Sequence, residues 1–177
     1  MCSPYRFYQF WLNTDDGDVI SRLKVFTFLT REQIEVHQQA VHDEPFRREA
    51  QRTLAREVTT LVHGAAATDA VIAASEALFG QGDLASLDAD TLVAAVAELP
   101  GADLSSQTTV AQALVETGLT SSLSEARRAI AQGGVYLNNA KVDDESSDLA
   151  GAALAGGVAV LRRGKKTLAG VRLLPST

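Results

Sequence analysis

The sequence has only one cysteine, Cys2, and this scarcity excludes several kinds of site. A single cysteine can form neither a disulfide within the chain nor a cysteine-based metal site. The three histidines, His37, His42 and His63, lack ligand-like spacing, so we expect no metal site. This cysteine usage is typical of a protein in a reducing compartment such as the cytoplasm.

Long apolar runs are also missing. No stretch of about 18 apolar residues occurs, so the sequence predicts no membrane-spanning helix. The first residues lack the basic-then-apolar pattern of a secretory signal. We therefore expect a cytoplasmic protein without a membrane partner.

Positive charge is in deficit, since the formal net charge is -6, which by itself argues against nucleic-acid binding. The deficit lies in residues 1–100, with 8 Lys/Arg against 15 Asp/Glu, whereas residues 101–177 hold 8 against 7. The later cations are clustered in Arg127–Arg128 and in the block 162–166. Such clusters can form one positive surface on an acidic molecule.

Residues 1–100 carry the spacing and caps of helices. Ser3–Pro4 is a typical helix start, and Thr30 with Gln33 forms a capping box. Further helices are predicted over about 46–62, after Thr68 and near 92–97. Pro100–Gly101 is the clearest break. We predict an all-α domain over 1–100, a linker over 101–107 and a second domain over 108–177.

The second domain is predicted to contain both short helices and strands. Short helices are predicted over 109–116 and 122–132, the latter ended by Gly133–Gly134. Residues 135–142 predict a hairpin with Asn138–Asn139 at its tip, and 158–161 and 167–174 are strand candidates. The predicted fold is α+β, in which two short helices pack on a small, mostly antiparallel sheet behind the helical domain.

The helix over 122–132 carries the clearest binding chemistry. Backbone N–H groups collect at its start, and such a helix start can bind phosphate. Arg127 and Arg128 can bind phosphate in bidentate fashion. Paired arginines on a short helix are most often merely solvated. The order of the surrounding elements therefore has to show whether this pair binds phosphate. We expect Arg127, Arg128, Lys141 and the pair 165–166 to converge on one cationic surface.

Residues 119–142 resemble the S4 RNA-binding domain. The version with Glu-Ala-Arg-Arg, Gly-Gly-Val and a late Arg-Arg-Gly-Lys-Lys is similar to the C-terminal domain of bacterial tyrosyl-tRNA synthetases. Residues 3–14, 26–29, 61–64 and 73–80 resemble the helical anticodon-binding domain of the same family. Asn139 stands where that family usually has glycine, and asparagine can adopt the same turn conformation.

The resemblance implies roles for individual residues. The expected RNA-facing set is Ser122, Ser124, Glu125, Arg127, Arg128, Gln132, Gly133, Val135, Asn138 and Lys141, flanked by Arg162, Arg163, Lys165 and Lys166. The resemblance further implies that Asp15, Asp16 or Asp18 contacts the anticodon, although aspartate at a helix start is more often a cap.

The resemblance also implies what the chain does not do by itself. The family's HIGH-type and KMSKS-type motifs and its nucleotide-binding fold have no counterpart in the sequence. We expect the C-terminal half of the ligase, with no catalytic residue and no cofactor of its own. ATP and tyrosine would bind the catalytic domain, which is the expected protein partner, and tyrosine tRNA is the expected nucleic acid. DNA is not an expected partner.

Two other functions remain open. A free-standing S4 protein could bind ribosomal RNA, and binding to ribosomal fragments rather than tyrosine tRNA would identify it. A non-RNA interaction module could use the acidic helices over 16–80 against a protein. Co-purification of a protein without RNA would favour that function.

Overall fold

The computed structural model describes residues 3–174 and divides the chain into two compact units, Met1–Val71 and Ile72–Thr177. The first unit is helical, and the second combines helices with one mixed sheet. The α+β class is therefore confirmed. Among the described residues, no helix is both long and apolar enough to cross a membrane.

Eight α-helices occur in the described part of the chain. They are α1 (Pro4–Leu12), α2 (Asp16–Phe26), α3 (Arg31–Asp43), α4 (Glu49–His63), α5 (Ala65–Leu78), α6 (Ala89–Ala97), α7 (Val110–Glu116) and α8 (Leu123–Ala131). Short 3₁₀ turns lie at Pro45–Arg47 and Leu84–Ser86. The predicted caps at Ser3 and Thr30 are present, the latter as a complete capping box with Gln33.

The first unit packs α1, α2 and α3 against α4. Its core contains Leu23, Leu54 and Val58, because α4 presents one apolar face at helical spacing. Arg48 precedes α4 with a φ of 53°, and its guanidinium donates to the Leu12 carbonyl at 2.9 Å. The chain turn before α4 is thus tied to the end of α1.

The second unit contains five strands. They are β1 (Gly101–Ser105), β2 (Val135–Leu137), β3 (Ala140–Lys141), β4 (Val158–Arg163) and β5 (Thr167–Leu174). The sheet order is β1-β5-β4-β2-β3. β1 pairs with β5 in parallel, and the other neighbours are antiparallel. This agrees with the predicted mostly antiparallel sheet.

Alternation along the strands assigns the sheet residues to two faces. Leu137, Leu161 and Ala169 are cross-strand neighbours and belong to the core that α7 and α8 share with the sheet. The next row along the strands contains Tyr136, Arg162 and Leu168. It therefore projects from the opposite face.

The expected linker over 101–107 is wrong for its first five residues, which form β1. Gly101 permits this pairing, since a Cβ there would collide with the Gly170 carbonyl of β5. The helix near 92–97, assigned by sequence to the first domain, contacts β4 and β5 instead. The Val96 side chain lies 2.6 Å from the place a Gly170 Cβ would occupy. α6 therefore belongs to the second unit, and the observed division at 71/72 falls within α5.

Candidate nucleic-acid interface

Helix α8 presents one apolar and one charged face. Ala126, Ala129 and Ile130 are buried against the sheet, as their spacing predicts. Arg127 and Arg128 are exposed. Within residues 3–174, Arg128 has no ion-pair partner, whereas Nε of Arg127 lies 3.9 Å from the Glu145 carboxylate.

The start of α8 is occupied by internal hydrogen bonds. The Ser122 hydroxyl accepts the Glu125 N–H at 3.3 Å. One oxygen of the Glu125 carboxylate accepts the N–H and the hydroxyl of Ser121 at 2.8 and 2.7 Å. These two bonds from Ser121, together with the Arg163 guanidinium, lower the pKa of Glu125 to about 2. A carboxylate therefore stands where the sequence predicted a site for phosphate.

Arg163 is held within the unit. Its Nη2 lies 2.8 Å from the Glu125 carboxylate, and its Nη1 donates to the Leu119 carbonyl at 2.7 Å. The guanidinium therefore joins β4 to the loop before α8. Its charge is neutralised by a carboxylate from the same expected RNA-facing set.

Arg162 lies on the other face of the sheet from α8. Its guanidinium carbon is 4.0 Å from the centroid of the Tyr136 ring, and its Nη1 donates to the Gly164 carbonyl at 2.9 Å. Its Nη2 approaches Gly80, at 3.4 Å from the position of a Cβ. The sheet thus separates Arg162, one of the expected flanking cations, from Arg127 and Arg128.

Lys141 lies at the sheet edge. Its Nζ is 2.9 Å from the Asp143 carboxylate, and this hydrogen bond raises the pKa of Lys141. Its Cε lies 2.6 Å from where a Cβ on Gly133 would stand, and Gly133 has a φ of 69°. Glycine at this turn is therefore favoured by its positive φ, whereas the flexible end of the Lys141 side chain can move away from a Cβ. The carboxylates that pair with Lys141 and Arg127 both come from the acidic run 143–148, and these two pairs are solvent-exposed.

Three residues of the hairpin serve the fold. Val135 is fully buried in the core, so its side chain is withdrawn from any RNA-facing surface. The Asn138 amide donates to the Ala152 carbonyl at 2.7 Å and accepts the Val160 N–H at 2.8 Å. Asn139 has a φ of 67°, as its position at the tip predicts, and donates to the Ala77 carbonyl.

The remaining members of the expected set are exposed. Lys165 and Lys166 occupy the turn between β4 and β5, and Ser124 and Gln132 lie on α8 and at its C-terminal cap. The exposed polar set is therefore Ser122, Ser124, Arg127, Arg128, Gln132, Lys141, Lys165 and Lys166.

The aspartates of the first unit have different surroundings. Asp15 precedes α2, is exposed and caps nothing with its side chain. Asp16 accepts a hydrogen bond from Gln51, and Asp18 lies 3.4 Å from Arg22. Asp15 is thus the most available of the three for an anticodon contact, which stays a prediction. The described residues contain no cluster of three or more histidine, cysteine or carboxylate side chains that could hold a metal.

Sequence reasoning missed the partners of the expected cations. Tyr136 and Leu119 each contact one of them, yet neither was assigned a role. Strand register gives a signal for Tyr136, because it stands opposite both Lys141 and Arg162. The loop contacts of Arg163 leave no trace in the sequence pattern.

Two family models match the chain. Residues 1–80 match the model of class I tRNA synthetases (W and Y), and residues 91–170 match the tyrosine–tRNA ligase SYY-like C-terminal domain. The chain belongs to the tyrosyl-tRNA synthetase family and matches its C-terminal part. The second match covers α8, the hairpin and most of the sheet. The exposed cations lie within this matched segment.

Curated members of the tyrosyl-tRNA synthetase family are similar over nearly the whole chain. The tyrosine–tRNA ligase of Leifsonia xyli is 66% identical over 97% of this chain and 39% of its own length. That of Streptomyces griseus is 51% identical over 99% of this chain and 42% of its own length. The chain thus spans about 40% of these relatives. A solved C-terminally truncated mitochondrial tyrosyl-tRNA synthetase from Aspergillus nidulans is 40% identical over 39% of this chain and 20% of that chain, with a TM-score of 0.38.

Proposed function

We propose that this chain is the tRNA-binding C-terminal part of a tyrosine–tRNA ligase, and that it binds tyrosine tRNA in the cytoplasm. The observation that carries the proposal is the exposed Arg127–Arg128 pair on α8, within the segment that matches the ligase C-terminal domain. ATP and tyrosine bind the catalytic domain of the whole ligase, which is the protein partner in this proposal. The role of this chain is to hold the tRNA so that its acceptor end reaches that domain.

The mechanism is electrostatic and shape-based docking. Guanidinium groups bind phosphate oxygens in bidentate fashion, and RNA helices are read mainly through phosphates, 2′-hydroxyls and shape. Arg128 supplies a guanidinium that forms no ion pair within residues 3–174, and Lys165 and Lys166 supply two exposed ammonium groups. The carboxylates beside Arg127 and Lys141 are themselves exposed, so phosphate can displace them at small cost.

Binding of a labelled tyrosine tRNA transcript to the purified chain tests the proposal. Fluorescence anisotropy would be measured from about 50 to 200 mM salt, with a control tRNA that lacks a long variable arm. We expect tighter binding of tyrosine tRNA and an affinity that falls as salt rises, because bound phosphates release counterions. Arg127→Ala/Arg128→Ala should weaken binding and reduce the slope of log affinity against log salt by about one for each phosphate that is no longer bound.

Arg172→Ala is the matched control for Arg128→Ala. Arg172 is an exposed arginine of the same unit, and its Nε lies 4.0 Å from the Asp103 carboxylate. Each variant removes one positive charge, so overall charge alone predicts equal effects.

Equal binding by the wild type and the double variant at every salt concentration would exclude α8 as the binding surface. Preference for a ribosomal fragment would instead favour the ribosomal alternative.

A further inference from the structure

An open pocket of about 340 Å³ lies where the end of α8 meets the turn between β4 and β5. Gln132 and Gly134 line it on the α8 side, and Arg163, Gly164 and Thr167 line it on the side of the turn. Its volume is near the lower limit of small-ligand pockets, which span roughly 300–1,000 Å³. The pocket suits one planar ring system better than a large ligand.

Two glycines keep part of the pocket wall free of side chains. The Gly164 N–H donates to the Gly134 carbonyl at 2.8 Å, so the two backbone segments are joined. A Cβ on Gly164 would meet no atom within 4 Å, which shows open space beside this backbone. A flat ligand can therefore lie directly against the main chain.

Arg163 gives the pocket a fixed planar group. Both terminal nitrogens are engaged, one by the Leu119 carbonyl and one by Glu125. The hydrogen bonds from Ser121 and the ion pair with Arg163 lower the pKa of Glu125 to about 2, so these contacts favour the charged carboxylate. A guanidinium held in this way has few free donors, but its face remains available for stacking on an aromatic ring.

Gln132 supplies the polar group that can distinguish one ring from another. It is exposed, and it follows Arg128 by one helical turn, since its N–H donates to the Arg128 carbonyl at 3.0 Å. Its side-chain amide offers a donor and an acceptor side by side. Adenine presents a complementary pair in its N6 amino group and N7.

The charges around the pocket favour a polyanion. Arg128 precedes Gln132, and Lys165 and Lys166 directly follow Gly164, all with exposed side chains. No aspartate or glutamate is among the described residues that line the pocket. Phosphates on both sides of an inserted base can therefore meet positive charge.

We propose that this pocket accepts one unpaired nucleobase of the bound RNA, and that Gln132 makes adenine the favoured base. Unpaired RNA bases are commonly splayed out, stacked on planar side chains and read at their edges. The inference rests on the proposed function and deepens it, because it adds a base-specific contact to docking through phosphates.

Short single-stranded RNAs test the pocket without the rest of a tRNA. Hexamers of adenylate, uridylate and cytidylate would be titrated into the ¹⁵N-labelled full chain at low salt and followed by NMR. We expect adenylate to shift the backbone amides of Gly134 and Gly164 and the side-chain amide of Gln132. Its affinity should exceed that of uridylate by about five- to tenfold, at the low end for a bidentate amide–base contact because the pocket is open.

Three variants separate base reading from charge. Gln132→Ala should remove the adenylate preference and leave the salt slope unchanged, whereas Arg128→Ala should weaken all three hexamers and reduce the slope. Gln107→Ala is the control, since Gln107 is exposed in the same unit and does not line the pocket. Equal affinities for the three hexamers, or shifts only outside the pocket, would overturn the inference while leaving tRNA docking intact. Absence of binding by the hexamers and by tyrosine tRNA would overturn both proposals.

Discussion

The Glu125 carboxylate joins three parts of the second unit. It binds the N–H and hydroxyl of Ser121, and its other oxygen pairs with Arg163 of β4. These contacts favour the charged form, so the pKa of Glu125 falls from 4.5 to about 2 in the folded chain. A lowered carboxyl pKa means that folding is favoured where the group is charged.

Replacing Glu125 by glutamine should therefore destabilise the chain in a pH-dependent way. The stabilisation by Glu125 is fully present above about pH 4.5 and is lost as the pH falls towards 2, because the wild-type carboxyl is then protonated. The difference in urea midpoint between wild type and Glu125→Gln should be constant near neutral pH and should shrink below pH 4.5. Midpoints at several pH values measure it.

Glu116→Gln is the control for this measurement. Glu116 is an exposed glutamate at the end of α7, and its replacement removes the same charge. If both variants shift the midpoint equally, the effect belongs to overall charge and not to the Ser121 and Arg163 contacts. A gap that widens as the pH falls would contradict the assignment outright.

Among the elements, the β2–β3 hairpin depends on its two asparagines. Both have positive φ, 49° for Asn138 and 67° for Asn139. The Asn138 amide then satisfies one carbonyl in the 149–152 segment and one N–H of β4. The tip is therefore fastened to two neighbouring segments by one side chain.

Asn138→Gly should destabilise the chain by about 2 kcal/mol, because two hydrogen bonds are removed and a buried N–H is left without its partner. Glycine retains the backbone conformation, so the change reports the bonds and not the turn. Asn139→Gly removes one bond, that to the Ala77 carbonyl, and should cost about half as much. Urea unfolding of both variants measures the difference. Equal destabilisation would show that the Asn138 contacts contribute nothing specific.

The elements of the second unit were largely predictable from local signals. Capping residues, the Gly133–Gly134 turn and the asparagine tip located α8 and the hairpin close to their observed bounds. β1 was not predictable, because its pairing partner β5 lies about 70 residues later and its short alternation is indistinct. Local signals also do not show that Val135 is buried, or that Asn138 and Arg163 are held by contacts within the unit.

For the molecule as a whole, the arrangement of charge matters more than the net value of -6. Two of the exposed cations have acidic neighbours from one loop. Asp143 lies 2.9 Å from Nζ of Lys141, and Glu145 lies 3.9 Å from Nε of Arg127. Exposed pairs of this kind contribute little to stability, yet they compete with any phosphate that approaches the same cations.

Neutralising this loop should strengthen RNA binding under the proposed function. Asp143→Asn/Glu145→Gln frees Lys141 and Arg127, so tyrosine tRNA should bind several-fold more tightly at low salt and with a steeper salt slope. Asp103→Asn/Glu116→Gln adds the same formal charge at exposed positions outside the loop. Overall charge steers an RNA towards the protein in both variants, but only the first opens cations on the proposed surface. Anisotropy titrations across salt distinguish the two. An equal gain in affinity in both variants would show that the acidic loop acts only through overall charge. No gain in affinity would show that the RNA binds elsewhere on the molecule.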